Sequence, residues 1–389
     1  MSSAQLGFEL SHRTRVVVGA GVWLKALGEV RALASRVLLV TGAASLARLG
    51  LEGTLASEAL RLGLELYRFT VPREPDVELA DGAAALARSS GVRAVLAIGG
   101  GSALDVAKAA ATLATNPGSA RDYLEGLASP PQLIAVSPLP VVCVPTTAGT
   151  GSEVTKNAVL QVTDLRVKRS MRAESLFPHS AFVDPELSGR APERVRAGTG
   201  FDALTHLVES FCSRNASPIT DALARDGIPR AMRALRSLAS TQPTQADAHD
   251  LAIASTLGGI CLANAGLGAA HGLIAPLGGS YPNIPHGAGL SCLLPATLRI
   301  NADATRSDAR ITTRFAELAH LLSGPGRTLL EAADELLALR RALELPALSS
   351  YASVDVSRVI ASPSGSLKTN PVPLPESALR ALLEMSLSE

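Results

Sequence analysis

The stretch Ala94-Val-Leu-Ala-Ile98, followed by Gly99-Gly100-Gly101-Ser102-Ala-Leu-Asp105-Val-Ala-Lys108, decides the fold of this chain. Five apolar residues without a charge read as a strand buried on both faces. Three glycines then release the chain into Ala, Leu and Val at helical spacing, running to about Thr115. Such a turn leaves free amides at the first helical turn, where the helix dipole is positive, so a pyrophosphate is the natural guest. The third glycine of G-x-G-x-x-G is missing and no G-K-[ST] follows, so neither standard nucleotide fingerprint is present. An ordinary strand-to-helix turn with Ser102 as the cap is the competing reading.

Working outward, the first half repeats the same alternation. Arg15–Val18, Val37–Val40, Glu65–Phe69, Val141–Val144 and Ser180–Val183 read as strands, with Ser45–Gly63 and Val77–Ser89 helical between them. This order predicts a parallel sheet covered by helices on both faces. Beyond Asp184-Pro-Glu-Leu187 the pattern is helical almost throughout, broken by loops at Gly266–Gly268, Gly278–Pro285, Gly324–Gly326 and Ala361–Pro375. The expected class is α/β plus all-α: a dinucleotide-binding α/β domain over 1–187, then a helical domain over 188–389.

Composition narrows the function classes. The chain has 389 residues, 47% hydrophobic and 18% charged, a globular balance with room for two domains. Lys+Arg 36 against Asp+Glu 35 leaves a net charge of +1, without the basic excess of a nucleic-acid or anionic-membrane binder. There is no 18-residue apolar run, and Met1–His12 lacks the charged and apolar regions of a secretory signal. Cys143, Cys212, Cys261 and Cys292 are scattered without C-x-x-C spacing, as suits a reducing compartment. The expectation is a cytoplasmic protein with no nucleic-acid or membrane partner.

Pro145-Thr146-Thr147-Ala148-Gly149-Thr150-Gly151-Ser152-Glu153-Val154-Thr155 also follows a buried strand. Its hydroxyls suit ribose and phosphate oxygens, and two such loops at strand ends mark the place where open sheets bind ligands. In the helical half, Asp202-Ala-Leu-Thr-His206 sets a carboxylate and an imidazole one turn apart. Ala269-Ala-His271-Gly and Ile284-Pro-His286-Gly bracket what reads as a helix end, a turn and a re-entry. Three imidazoles and one carboxylate suit Zn(II) or Fe(II) with a position open to substrate; a surface ion pair and core histidines are the alternative.

These residues in this order resemble the iron-containing (group III) alcohol dehydrogenase family, maleylacetate reductase-like members included. Asp184-Pro-Glu-Leu187 and Lys368-Thr-Asn-Pro371 look like further landmarks of it. The resemblance implies a Rossmann-like domain, a helical domain in a dehydroquinate synthase-like architecture, and a cleft between them. It implies Asp202, His206, His271 and His286 as ligands of Fe(II) or Zn(II). Gly100, Gly101 and Ser102 would hold the pyrophosphate of NAD or NADP, with Gly99 and Asp105 among the cofactor-binding residues beside them. Thr146, Thr147, Thr150 and Ser152 would line the cofactor, and Lys168 would approach its ribose or the substrate. The activity implied is hydride exchange between NAD(P)H and a small alcohol or carbonyl compound, in a homodimer or larger homo-oligomer.

The chain departs from the family pattern at three points. Many members carry a further histidine four residues after the one at His271; here Ala275 stands, so water, Lys168 or a hydroxyl such as that of Tyr281 would relay the proton. The His271–His286 interval is one residue longer than the common pattern. Gly42 occupies a place often held by Asp, whose carboxylate would repel a 2′-phosphate; its loss permits NADPH. Reduction of an unsaturated oxo-acid is a rival reading that would want cations such as Arg196 and Arg214 in the cleft. A dehydroquinate synthase-like cyclase would need lysines, and Thr199–His286 contains none.

Overall fold

Every apolar run named above forms a strand in the computed structural model, which describes residues 7–127, 130–240, 243–304, 308–361 and 363–388. Met1–Gln5 and Leu6, half of the N-terminal stretch read for a signal, lie outside the described residues. The strands are β1 (Arg15–Val18), β2 (Arg36–Gly42), β3 (Glu65–Val71), β4 (Ala94–Gly99), β5 (Val141–Pro145), β6 (Asn157–Val162), β7 (Val167–Arg172) and β8 (Ser180–Val183). One six-stranded sheet runs in the order β1-β8-β5-β4-β2-β3, with every pair parallel. Antiparallel β6 and β7 form a separate hairpin.

Helices α1 (Lys25–Leu33), α2 (Ser45–Leu49), α3 (Glu52–Leu62), α4 (Val77–Ser89) and α5 (Gly101–Leu113) cover the sheet. Alternation along β4 shows why. Leu96 and Ile98 join the core beneath α1 and α3, whereas Val95 and Ala97 join the one beneath α4 and α5. All six β4 residues are buried, and each large apolar side chain contributes on the order of 1.5–3 kcal/mol. Ser45–Gly63 is two helices rather than one, because Gly50 at φ 68° caps α2 in the left-handed region. Gly100, not Ser102, is the cap of α5; Ser102 lies inside the first turn.

Because β2 connects outward to β3 while β4 lies on its other side, β2 and β4 flank the point where strand order reverses, the usual ligand crevice of an open sheet. Their ends meet closely there: a Cβ on Gly99 would lie 3.1 Å from the Gly42 amide nitrogen.

From Pro185 onward the elements are helices: α6 (Pro185–Gly189), α7 (Glu193–Cys212), α8 (Pro218–Ala239), α9 (Gln245–Ala265), α10 (Ala269–Ser280), α11 (His286–Ala304), α12 (Ala309–Ser323), α13 (Leu329–Ala342), α14 (Val356–Ile360) and α15 (Glu376–Ser388). Phe201, Leu204, Leu207 and Phe211 of α7 pack with Ile228, Met232 and Leu235 of α8 in one core. Asp184 opens this half, capping α6 through the Glu186 amide at 3.1 Å. The chain bends by 98° between α9 and α10, which turns His271 toward α7. Among the described residues no single helix is long and apolar enough to cross a membrane.

Candidate active site

Helix α7 presents Asp202, His206 and Glu209 at i, i+4 and i+7, hence on one face. Helix α10 brings His271 to that face from its first turn, and α11 begins with His286. Gly287 makes that beginning feasible: a Cβ there would fall 2.1 Å from the Gly198 carbonyl oxygen of α7. Two backbones in contact at that point place His286 beside Asp202.

Asp202 Oδ1 is the hub. It lies 3.5 Å from His206 Nε2, 3.4 Å from His271 Nε2 and 3.7 Å from His286 Nε2. The rings of His206 and His271 stack with centroids 4.6 Å apart, and His286 tilts against His271 at 5.7 Å. Asp202 and His271 are buried, with Oδ1 and Nε2 lacking a hydrogen-bond partner. Such atoms each cost on the order of 1–3 kcal/mol unless something satisfies them. Ligands about 2.1 Å from a tetrahedral metal lie about 3.4 Å from one another, so the donor spacing fits a bound divalent ion. His286 is the most open of the four, about a third exposed to the cleft.

Protonation follows from the same contacts. Burial raises the Asp202 carboxyl, but His206, His286 and His271 outweigh that and hold it well below the usual carboxylate range. Burial takes His206 and His286 down to about 4, against the attraction of Asp202. His271 feels the same burial, yet the adjacent Asp202 carboxylate and the hydrogen bond to Glu209 hold it up at about 9. A cation entering between these groups takes the place of the His271 proton.

Glu209 is the partner that sequence reasoning missed. Its Oε2 lies 2.7 Å from His271 Nδ1, and its carboxylate also accepts from the Ala270 amide at 2.7 Å. This carboxylate–histidine arrangement fixes the ring and directs Nε2 at the metal position. The signal was present in the i+7 spacing from Asp202.

These groups lie in the wall of a cleft of about 1450 Å³ that Gly100, Gly101, Ser102, Asp105, Thr147, Thr150, Ser152 and Lys168 also line. Asp105 and Ser152 are tied to each other: the Ser152 hydroxyl donates to Asp105 Oδ1 at 2.6 Å, and the Val159 amide donates to Oδ2 at 3.1 Å. Lys108, fully buried, donates to Ser152 O at 2.9 Å and pairs with Asp105 at 3.1 Å. The two glycine-rich loops are thereby one rigid unit. Lys168 Nζ meets Glu74 Oε2 at 2.7 Å, and both residues line the cleft.

Three of the expected cofactor residues stand apart from the cleft lining. Thr146 is 1% exposed, and its amide donates to Gly99 O at 2.9 Å. Gly99 and Gly42 end their strands side by side, outside the cleft wall. Tyr281 cannot relay a proton in the cleft, because its hydroxyl accepts from the Asp355 amide at 2.7 Å outside the lining. Ala275 does face the cleft. Arg214 lines it too, whereas Arg196 faces a small crevice between α6, α8 and α9. Asn370, from the Lys368-Thr-Asn-Pro stretch, accepts from the Ala269 amide at 3.1 Å and so caps the His271 helix.

Residues 13–185 match the family model described as iron-containing alcohol dehydrogenase, and residues 196–357 match the C-terminal model of the same family. A long-chain-alcohol dehydrogenase of Geobacillus thermodenitrificans is 36% identical over 326 residues, 83% of this chain and 78% of that one. A 4-hydroxybutyrate dehydrogenase of Cupriavidus necator is 33% identical over 341 residues, 84% of this chain and 86% of that one. The crystal structure of an iron-containing alcohol dehydrogenase from Thermotoga maritima superposes with a TM-score of 0.82 at 27% identity, covering 98% of this chain and all of that one. With both halves matched, in order and around one shared cleft, the chain belongs to the iron-containing alcohol dehydrogenase family.

Proposed function

We propose that this cleft interconverts an alcohol and an aldehyde or ketone by hydride exchange with NAD(P)H, with Asp202, His206, His271 and His286 holding one Fe(II) or Zn(II). The observation that carries this reading is the convergence of three imidazole nitrogens on the buried, otherwise unpartnered Asp202 Oδ1, beside the glycine loop. When bound, the metal supplies Lewis acidity toward the substrate oxygen, and the nicotinamide supplies or accepts the hydride.

The chain's own residues supply the rest. The amides of Gly101 and Ser102 at the start of α5 face a pyrophosphate. Thr147 and Thr150 offer hydroxyls to the ribose, and Lys168 Nζ, steadied by Glu74, donates to the ribose or to the substrate oxygen. Leu262, Leu267 and Ile274 exclude water from the reacting carbon. With Ala275 in the wall and Tyr281 engaged elsewhere, solvent or Lys168, which faces the cleft, carries the proton. Gly42 leaves no carboxylate against a 2′-phosphate, which favours NADPH alongside NADH. Four buried free cysteines fit the cytoplasm. The edge strand β1, with Val18 exposed at its end, suits a homodimer.

The test is oxidation of NADH and of NADPH by protein loaded anaerobically with Fe(II) or Zn(II), offered short aldehydes and hydroxyketones. Turnover that a chelator abolishes supports the reading. Tightly bound metal and cofactor without turnover contradicts it.

A further inference from the structure

The loop over 363–370 straps the first turns of α10. The Ser364 hydroxyl donates to His271 O at 3.1 Å, and the Ser364 amide donates to Gly272 O at 2.9 Å. The Thr369 hydroxyl donates to Leu267 O at 2.6 Å, and Asn370 caps the helix. Lys368 therefore projects from a fixed backbone and lines the cleft. Arg214 is pinned to the same strap, its amide donating to Thr369 O at 3.0 Å, and it too lines the cleft.

Several cations line the cleft. Lys168 is paired with Glu74 at 2.7 Å, and Arg172 with Glu125 at 3.0 Å. Among the described residues Arg169 and Arg194, like Arg214 and Lys368, have no carboxylate within ion-pair distance. Position is what distinguishes the corner of Arg214 and Lys368. The second cofactor loop touches α7 near its start, where a Cβ on Gly149 would lie 2.5 Å from Thr199 Cβ. The helix then runs past Asp202 and His206 and ends at Cys212, two residues before Arg214. The two cations thus lie at the opposite end of α7 from the nucleotide loops, with the metal ligands between. At 1.5 Å per residue the end of α7 at Cys212 lies about 9 Å beyond His206, and Arg214 follows two residues later. A short carbon chain therefore suffices to reach from the metal position to this corner.

We propose that Arg214 and Lys368 form a carboxylate subsite, so that the substrate is a short ω-hydroxy acid and its ω-oxo acid partner. This deepens the functional reading above and rests on it. The oxo acid gains a hydride at the aldehyde carbon from NAD(P)H and a proton at the oxygen from solvent, giving the primary alcohol and NAD(P)+. The distal carboxylate stays unreacted and serves as a handle for charge-assisted hydrogen bonds.

The experiment compares 4-oxobutanoate with butanal, its uncharged counterpart of equal chain length, using metal-loaded full-length protein and NAD(P)H. The expected result is a kcat/KM at least tenfold higher for the oxo acid. Arg214→Met and Lys368→Met should each lower that ratio at least tenfold, chiefly through the oxo acid's KM, and Arg214→Glu should turn the preference toward butanal. Equal reduction of both aldehydes, a ratio unmoved by the substitutions, or a rise in the NAD(P)H KM in place of the oxo acid's would overturn the subsite alone. Reduction of neither aldehyde, with metal bound, would overturn the redox reading and this inference with it.

Discussion

Glu209 and His271 form a fixed pair, with Oε2 of the carboxylate 2.7 Å from Nδ1 of the imidazole and both residues buried. The ring therefore turns Nδ1–H toward Glu209 and Nε2 toward Asp202, where a metal would take the place of the Nε2 proton. The Ala270 and His271 amides, at 2.7 and 3.3 Å from the same carboxylate, keep it from rotating away.

Glu209→Gln keeps the size of the side chain but removes its charge. Metal affinity, measured by competition with a chelator, should fall by about 10–100-fold with the fold retained. Unchanged affinity would show that Glu209 only caps α10.

Gly42→Asp tests the cofactor reading. The new Cβ would sit 2.6 Å from Ser45 Oγ, a hydroxyl that relieves the clash by rotating. Restoring a carboxylate beside the ribose should lower the NADPH/NADH ratio of kcat/KM by about tenfold or more. A constant ratio would remove Gly42 from the argument.

Gly259→Ala tests the seam between α9 and the second cofactor loop. A Cβ there would lie 2.6 Å from Gly151 O and 2.7 Å from Val154 Cγ2, and Gly151 itself stands at φ 59°. The overpacking should cost about 1–3 kcal/mol, read as a lower urea midpoint, and should weaken cofactor binding in parallel. A wild-type midpoint would contradict this close approach.

Glu153 gives a pH dependence with a defined sign. Burial raises its carboxyl above the ordinary 4.5, with Lys108 and Thr256 only moderating the effect. The folded protein thus holds this proton more tightly than the unfolded chain, and the ionised form destabilises the fold. That stability is present below pH 4.5 and is lost as pH rises through the raised folded value. Glu153→Gln should therefore gain thermal stability over the wild type progressively from pH 4.5 toward neutrality. A difference that stays constant with pH would contradict it.

The parallel sheet was legible because its strands are apolar on both faces: β4 has no solvent side, so its sequence carries no competing pattern. The β6–β7 hairpin was not. β7 is Val-Lys-Arg-Ser-Met-Arg, half-exposed over most of its length, and its charges face the cleft and its rim, so no apolar alternation marks it. At the metal position spacing alone left a surface ion pair and core histidines open, and it was the resemblance to the family that implied Asp202 and the three histidines as one ligand set. Glu209 escaped because a glutamate in a helix is commonplace until its burial is known. Arg196 and Arg214 looked alike in sequence. Only the end of α7 and the strap over α10 separate them, sending one to a crevice and the other to the cleft.

The central claim is that one divalent metal is held by Asp202, His206, His271 and His286. It is tested most directly by metal content per chain after loading with Fe(II) or Zn(II) and dialysis, comparing the wild type with His206→Ala. The account predicts close to one metal per chain in the wild type. In a folded His206→Ala it predicts little metal and almost no turnover. Full metal content and full activity in that variant, or no metal in the wild type, would contradict it.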